Sequence, residues 1–302
     1  MSNLRVRDFV LLDAPSNLGL RPPVPGTIPG CYKLAGALRD QRLLDRLGAR
    51  DGGVVVPPRY DRGDWTLGDG VFNAPAIARY TRRLAERVGE HVRDREFLVV
   101  LGGDCSILLG SALALRRRGR YGLAFLDGHS DFRHVGNSPA VGAAAGEDLA
   151  LVTGRGQPDL ADLDGLGPYI RDEDAFVLGI RDDDECRDEL AGLNIRYAAV
   201  EDVRREGPAA VAAAALAVLE STNLAGFWVH LDADVLDPSV LPAVDSPDPG
   251  GLTVDEVRDL LRRLAASSRC VGLQVTVYDP DLDPEADGAA LLANLLEAAL
   301  AR

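Results

Sequence analysis

Short apolar runs alternate with longer amphipathic stretches along most of this 302-residue chain. An apolar run of four to eight residues is typical of a buried strand, whereas apolar residues at every third or fourth position indicate a helix. The pattern predicts strands near residues 8–13, 53–56, 97–101, 121–126, 175–180, 194–200, 226–232 and 270–277. It predicts helices near residues 31–47, 74–92, 106–118, 208–221, 253–266 and 288–301.

Strands that alternate with helices usually form a parallel sheet covered by helices on both faces. We therefore expect an α/β fold with a mainly parallel, about eight-stranded sheet, and ligands at the carboxyl ends of its strands. Because no repeat or linker interrupts the pattern, we expect one domain over residues 1–302. Residues 132–174 are rich in Gly, Asp and Pro, which predicts a long surface excursion near the site.

Two acidic runs each follow an apolar strand, namely Asp127-Gly128-His129-Ser130-Asp131 and Asp232-Ala233-Asp234. Side chains two apart on a strand share a face, so the acids and the imidazole are expected to converge. Clustered carboxylates repel one another unless cations lie between them, which favours a site for divalent metal ions. The alternative is that each Asp-x-Asp pair only caps a helix or is solvated in a loop.

Composition narrows the choice of partners. A formal net charge of -14 argues against nucleic acid or an anionic membrane as a partner, since both attract basic surfaces.

The four cysteines, Cys31, Cys105, Cys186 and Cys270, show no Cys-x-x-Cys spacing, so neither a zinc knuckle nor a disulfide framework is indicated. With no signal peptide and no apolar run long enough to span a membrane, a cytoplasmic location is expected.

A third strand leads into Gly102-Gly103-Asp104-Cys105-Ser106, and with the two acidic runs it completes a recognisable set. Gly102-Gly103-Asp104-x-Ser106, Asp127-x-His129-x-Asp131 and Asp232-x-Asp234 resemble, in this order, the signature blocks of the ureohydrolase family of arginase and agmatinase. The resemblance implies one arginase-like three-layer α/β/α domain, a centre of two Mn²⁺ ions and a homo-oligomer, a trimer or a hexamer.

The resemblance also implies individual roles. Asp131 and Asp232 would bridge the two ions, Asp127 and Cys105 would complete one, and His129 and Asp234 the other. A water held between two cations loses its proton near neutral pH and can attack an sp² carbon, with Asp131 passing a proton to the leaving amine. Asp104 would steady the loop that carries residue 105.

The chain departs from the family's pattern at residue 105, where the family has a histidine. A thiolate suits Zn²⁺ or Fe²⁺ better than Mn²⁺, yet it can still be a ligand. The alternative is that Cys105 is a small buried residue beside a weak site.

The substrate side of the pattern differs as well. Val277 stands where arginases carry a glutamate that pairs with the guanidinium, so Asp279 is a candidate replacement, and Asp184 matches a substrate-binding acid. Ala145 falls near the loop histidine that arginases use as a proton shuttle, which leaves His230 and His134 as catalytic candidates. His230 is also compatible with a satisfied core histidine.

The sequence thus favours a metal-dependent hydrolase of linear C–N bonds in a small guanidino or amidino molecule. A noncatalytic ureohydrolase-fold binding or regulatory protein is the alternative, motivated by Cys105 and Val277. A deacetylase of related architecture ranks last, because the catalytic histidines that it needs are missing at the expected place. The metal content of the purified protein distinguishes the hydrolase from the noncatalytic protein, because absence of stoichiometric metal would favour the noncatalytic protein.

Overall fold

The structure is a computed structural model that describes residues 8–61, 63–92, 96–139 and 141–301. The strands that it describes are β1 Asp8–Asp13, β2 Arg50–Val54, β3 Glu96–Leu101, β4 Gly122–Leu126, β5 Ala175–Leu178, β6 Arg196–Ala198, β7 Phe227–Asp232 and β8 Cys270–Thr276. The α-helices are α1 Leu34–Asp40, α2 Leu43–Leu47, α3 Ala74–His91, α4 Leu108–Arg116, α5 Asp148–Val152, α6 Pro158–Ala161, α7 Arg187–Gly192, α8 Val200–Glu206, α9 Pro208–Leu219, α10 Val254–Ala266 and α11 Asp287–Leu300.

The eight strands form one sheet in the order β2-β1-β3-β8-β7-β4-β5-β6, and every pair is parallel. The inner strands are buried on both faces, so they read as continuous apolar runs. One apolar cluster lies on each face, with α10 and α11 in the first and α3 and α4 in the second. The predicted α/β fold is confirmed, and the sheet is wholly rather than mainly parallel.

The predicted helix over residues 31–47 is wrong as a continuous element. The chain makes a 3₁₀ turn, then α1 ends at Asp40, and Arg42 takes a left-handed conformation with φ of 59°. This turn redirects the chain, so that α2 buries Leu43 and Leu47 and its Arg46 reaches Glu297 of α11.

The predicted strand at 53–56 is shifted. The edge strand β2 begins at Arg50 and ends at Val54, and half of the Val54 side chain is exposed. Gly52 sets this register, because a Cβ there would lie 2.8 Å from the carbonyl oxygen of Leu11. The excursion at 132–174 contains the short helices α5 and α6, which the weak periodicity did not predict.

Candidate metal centre

The turn after β3 presents Cys105 to the site. Gly103 packs so closely that a Cβ would lie 1.7 Å from the carbonyl oxygen of Ser16, so only glycine fits. The buried Asp104 carboxylate accepts hydrogen bonds from the Ser106 amide at 2.9 Å and from Ser16 Oγ at 2.8 Å. Asp104 thus holds the turn in shape, as expected from the sequence.

The Cys105 thiol is buried at the end of this turn and lines a cavity. Its sulfur donates to Asp232 Oδ2 and lies 3.1 Å from Thr276 Oγ1. Burial, together with the charge of Asp232, raises the pKa of this thiol well above its ordinary value. A metal ion is therefore needed to make the thiol a thiolate here.

The acidic run that follows β4 lies outside the strand, because β4 ends at Leu126 and the run begins at the next residue. Strand alternation therefore does not bring these side chains together, contrary to the sequence argument. Instead the run is folded back by Asp131, whose φ of 44° is left-handed. The His129 amide donates to Asp127 Oδ1 at 2.7 Å, which fixes the turn.

The second acidic run begins at the last residue of β7. Asp232 caps a 3₁₀ turn by accepting the Asp234 amide at 2.7 Å, and this turn aims Asp234 back towards β4. Asp234 then accepts the Gly128 amide at 3.1 Å. Backbone hydrogen bonds thus lock the two acidic runs together across the neighbouring strands β4 and β7.

His129 is held between two carboxylates. Its Nδ1 lies 3.0 Å from Asp234 Oδ2, and its Nε2 lies 3.0 Å from Asp248 Oδ2. Burial alone would lower the pKa of His129, but the hydrogen bond and charge of Asp234 raise it to about 11. A carboxylate behind an imidazole is the usual support of a metal-binding histidine, so Asp248 is a functional candidate that sequence reasoning missed.

The predicted metal ligands do come together. Ligand atoms within 4.8 Å of one another are offered by Asp127, His129 and Asp234, and likewise by Cys105, Asp131 and Asp148. A third overlapping group contains Cys105, Asp127, His230 and Asp232. All six residues expected to bind metal therefore belong to one connected set of donors.

His230 is fully buried, stacks on Phe125 and does not line the cavity. The Trp228 indole N–H donates to Gln274 Oε1 at 3.2 Å, so the Gln274 amide nitrogen must face His230 Nδ1, at 2.9 Å. Nδ1 accepts that hydrogen bond, and the neutral ring carries its proton on Nε2. Nε2 lies 3.5 Å from Asp127 Oδ2, and neither atom has a hydrogen-bond partner among the residues that the structure describes.

The donor set fits a pair of divalent cations. Burial and neighbouring carboxylates raise the pKa of Asp127 and of Asp232 well above the ordinary value. Asp127 Oδ2 is buried and accepts no hydrogen bond from the residues that the structure describes. Buried acids that lack partners are stabilised by cations in contact with them, and oxygen, nitrogen and sulfur donors together suit divalent metals.

Asp148 is a second residue that sequence reasoning missed. It is the first residue of α5 and is fully buried beside Cys105 and Asp131. It lies in a part of the sequence with weak periodicity and belongs to no motif, so only its charge within Ala-rich sequence could have drawn attention to it.

The cavity above these donors has a volume of about 690 Å³ and is lined by both substrate-binding candidates, Asp184 and Asp279. Asp184 accepts the Ser130 amide at 2.8 Å, and Asp279 accepts the Gly30 amide at 2.9 Å. Val277 also lines the cavity and is strained, because φ of 74° is unusual for a β-branched residue.

His134 is not brought to this cavity. Its Nε2 pairs with Glu189 Oε1 at 2.9 Å, and its Nδ1 accepts the Gly136 amide at 3.1 Å. The ring is thus oriented away from the metal donors, and it is absent from the cavity lining. The structure therefore gives no support to a proton shuttle at this residue.

Known proteins match the chain over most of its length. The arginase family is recognised over residues 27–301. The arginase of Bacillus caldovelox is 31% identical over 240 residues, which are 78% of either chain. A solved structure of the arginase from Bacillus caldovelox has a TM-score of 0.87 at 26% identity and covers 98% of this chain and 99% of that one. The formimidoylglutamase of Bacillus subtilis shares the fold, with a TM-score of 0.74 at 19% identity over 99% of this chain and 88% of that one. This chain belongs to the arginase family.

Proposed function

We propose that this protein is a hydrolase that uses two divalent metal ions to cleave a linear, non-peptide C–N bond in a small guanidino or amidino molecule. One observation carries the proposal: the overlapping groups of metal donors lie at the base of an acidic cavity. Such a cavity gives a small molecule access to the ions.

The ions would be held by Cys105, Asp127, His129, Asp131, Asp232 and Asp234, of which Cys105 and Asp127 each belong to two of the donor groups. Two Mn²⁺ ions are proposed first, since carboxylates dominate, and Zn²⁺ or Fe²⁺ is an option because of the thiol. When bound, a pair of such ions supplies an acidified water as nucleophile.

The chain's own residues would do the rest. Asp131 lines the cavity and would accept a proton and deliver it to the leaving amine. His230 would act on Asp127 electrostatically, from an Nε2 that lies 3.5 Å from Asp127 Oδ2, and would not itself meet substrate, because it lies outside the cavity lining. This position argues for support of a ligand rather than for proton transfer.

The charge of the cavity suits a cationic substrate. Nine acidic side chains line it against three arginines, and six of these nine acids are not proposed as metal ligands. Arg181 is occupied by the carbonyl oxygens of Asp234 and Asp248, and Arg133 pairs with Glu185. The acids therefore dominate the field that a substrate would meet, and a guanidinium or amidinium group would be attracted.

Val277 argues against ordinary arginase activity. An apolar side chain there cannot pair with a guanidinium or stabilise charge that develops on the leaving nitrogen. We expect a screen of guanidines, amidines and formimino compounds with added Mn²⁺ or Zn²⁺ to find a substrate other than arginine. Val277→Glu should raise turnover of arginine or agmatine at least about tenfold, because one desolvated ion pair contributes more than 1.4 kcal/mol.

Val277→Gln is the matched control, since it has the size of glutamate without its charge. Urea release from arginine by the wild-type protein at ordinary enzymatic rates would contradict the assignment of Val277. Inactivity on every compound, with both ions bound, would favour the alternative of a noncatalytic binding or regulatory protein.

A further inference from the structure

We propose that Asp148 is an additional metal ligand, which binds the ion at the Cys105 side of the centre. The inference deepens the proposed function and rests on its metal centre. It concerns a residue outside the motifs by which the sequence resembles the family.

The side chain of Asp148 is fully buried, and neither of its oxygens accepts a hydrogen bond from any part of the chain that the structure describes. The adjacent Leu149 amide favours the charged form of Asp148, but it does not make a hydrogen bond of normal geometry to either oxygen. A buried carboxylate without partners is strongly unfavourable, so this arrangement calls for a compensating group.

No side-chain cation among the described residues provides that group. The charged residues that act most strongly on Asp148 are Asp131, Asp232 and Asp104, all of them acids. A protonated Asp148 would be expected to donate to Asp131 or to Cys105, yet no such hydrogen bond is present among the described residues. A metal ion in contact with the carboxylate removes the difficulty, and one Asp148 oxygen lies within 4.8 Å of donor atoms of Cys105 and Asp131.

The chemistry of the donor set supports the same conclusion. Cys105 contributes a soft sulfur, which favours Zn²⁺ or Fe²⁺, whereas a carboxylate is a hard donor and favours Mn²⁺. Asp148 therefore offsets the loss of hardness caused by the thiol. A centre that includes Asp148 should accept Mn²⁺ better than one without it.

Asp148→Asn tests the proposal, because it keeps the shape of the side chain and removes the charge. In metal-free protein the variant should unfold at a Tm equal to that of wild type or higher, since it removes a buried carboxylate that has no hydrogen-bond partner. Its affinity for Mn²⁺ should fall at least about tenfold and its affinity for Zn²⁺ should fall less. Equilibrium dialysis with elemental analysis measures both affinities, and thermal unfolding with and without chelator measures the Tm shift on metal binding.

Glu147→Gln is the matched control. Glu147 is the neighbouring buried acid, but its Oε1 accepts the Gly142 amide and it belongs to none of the donor groups. This variant should bind Mn²⁺ as wild type does. Asp148→Ser provides a smaller replacement if Asp148→Asn fails to fold, with the same expected loss of Mn²⁺ affinity.

Mn²⁺ affinity within twofold of wild type in either Asp148 variant would overturn the proposal and make Asp148 a neutral structural acid. These measurements need no substrate, so the inference and the proposed function can fail separately. A protein that binds two ions and hydrolyses nothing would contradict only the function. An active protein whose Mn²⁺ affinity does not change when Asp148 is replaced would contradict only the assignment of Asp148 as a metal ligand.

Discussion

Cys105 is the residue whose identity most affects the metal chemistry of this centre. Its sulfur contacts Asp232 and Thr276 at the base of the cavity. Sulfur is a soft donor, and a harder donor at this position would favour Mn²⁺. The thiol also has to lose a proton before it can bind a cation, and burial opposes that loss. Metal binding should therefore release a proton from Cys105.

We expect Cys105→His to keep both ions and to shift the preference from Zn²⁺ towards Mn²⁺ by at least about tenfold, since imidazole is the harder donor. Cys105→Ser should weaken Zn²⁺ binding because it removes the sulfur. Competition titrations of the metal-free proteins measure both effects. Unchanged selectivity in both variants would mean that the thiol does not contact an ion.

A second residue-scale prediction concerns His230. If its Nε2–H supports Asp127, His230→Phe should lower metal affinity about 10- to 100-fold, the usual effect of losing a partner of a ligand. His230→Gln should retain most of the affinity, because an amide N–H can replace the donor. If His230 were itself a ligand, glutamine would be as damaging as phenylalanine, and metal titration distinguishes these outcomes.

Short motifs made part of this centre predictable. Asp127, His129 and Asp232 stand in runs that follow apolar strands, so their place at the strand ends indicated that they meet, although alternation along a strand was the wrong reason. Asp148 and Gln274 could not be found in this way. Their roles depend on contacts with residues 43 and 44 positions away, Cys105 and His230, and no local pattern encodes such contacts.

At the scale of elements, the centre depends on four adjacent strands. In the order β3-β8-β7-β4, their carboxyl ends deliver Cys105, Val277, Asp232 and Asp127 to one place. Parallel strands with helical crossovers put all these ends at the same edge, which is where open α/β sheets bind ligands. The order of the strands therefore explains why residues distant in sequence share one site.

The turn after β7 is held by Asp237, whose carboxylate accepts the Ser239 amide at 3.0 Å and the Gly250 amide at 2.8 Å. Hydrogen bonds from Ser239, and further ones from Gly250 and Gly251, lower the pKa of Asp237 to about 2. Because the folded-state pKa is depressed, the stabilisation is present above the unfolded pKa of about 3.9 and is lost as pH falls towards 2.

We therefore predict that metal-free Asp237→Asn is less stable than metal-free wild type by about 1 kcal/mol or less above pH 5. The difference should shrink between pH 4 and pH 2. Urea unfolding of both proteins across this range measures it. A difference in unfolding free energy between the two proteins that stays constant down to pH 2 would show that the charge of Asp237 does not stabilise the turn.

Periodicity predicted the long elements well and the connections poorly. The inner strands and α3 match their predicted positions to within about two residues, since burial imposes a clear pattern on them. The break at Arg42 was not predicted, because both flanking segments keep a helical pattern. Their separation depends on tertiary contacts with α11, which a local pattern does not contain.

At the scale of the whole molecule, the acidity of the chain has a local component. The formal net charge of the chain is -14, and nine of its acids line one cavity. Bound cations would neutralise part of this charge and should stabilise the fold through mass action. No helix within the described ranges is long and apolar enough to cross a membrane. The single domain, the trimer or hexamer and the cytoplasmic location stay predictions.

The central claim is that this chain binds two divalent ions through shared carboxylates. The most direct test is elemental analysis of the purified protein after incubation with Mn²⁺ or Zn²⁺ and removal of free metal, comparing wild type with Asp232→Ala. Asp255→Ala is the control, because Asp255 is an exposed acid that pairs with Arg258 on α10.

We predict about two ions per chain in wild type and in Asp255→Ala, as for centres with two bridged ions. Asp232→Ala should retain less than about one tenth of that metal, because loss of a shared carboxylate leaves the repulsion between the ions unscreened. Wild-type protein without stoichiometric metal, or Asp232→Ala that keeps both ions, would contradict the account.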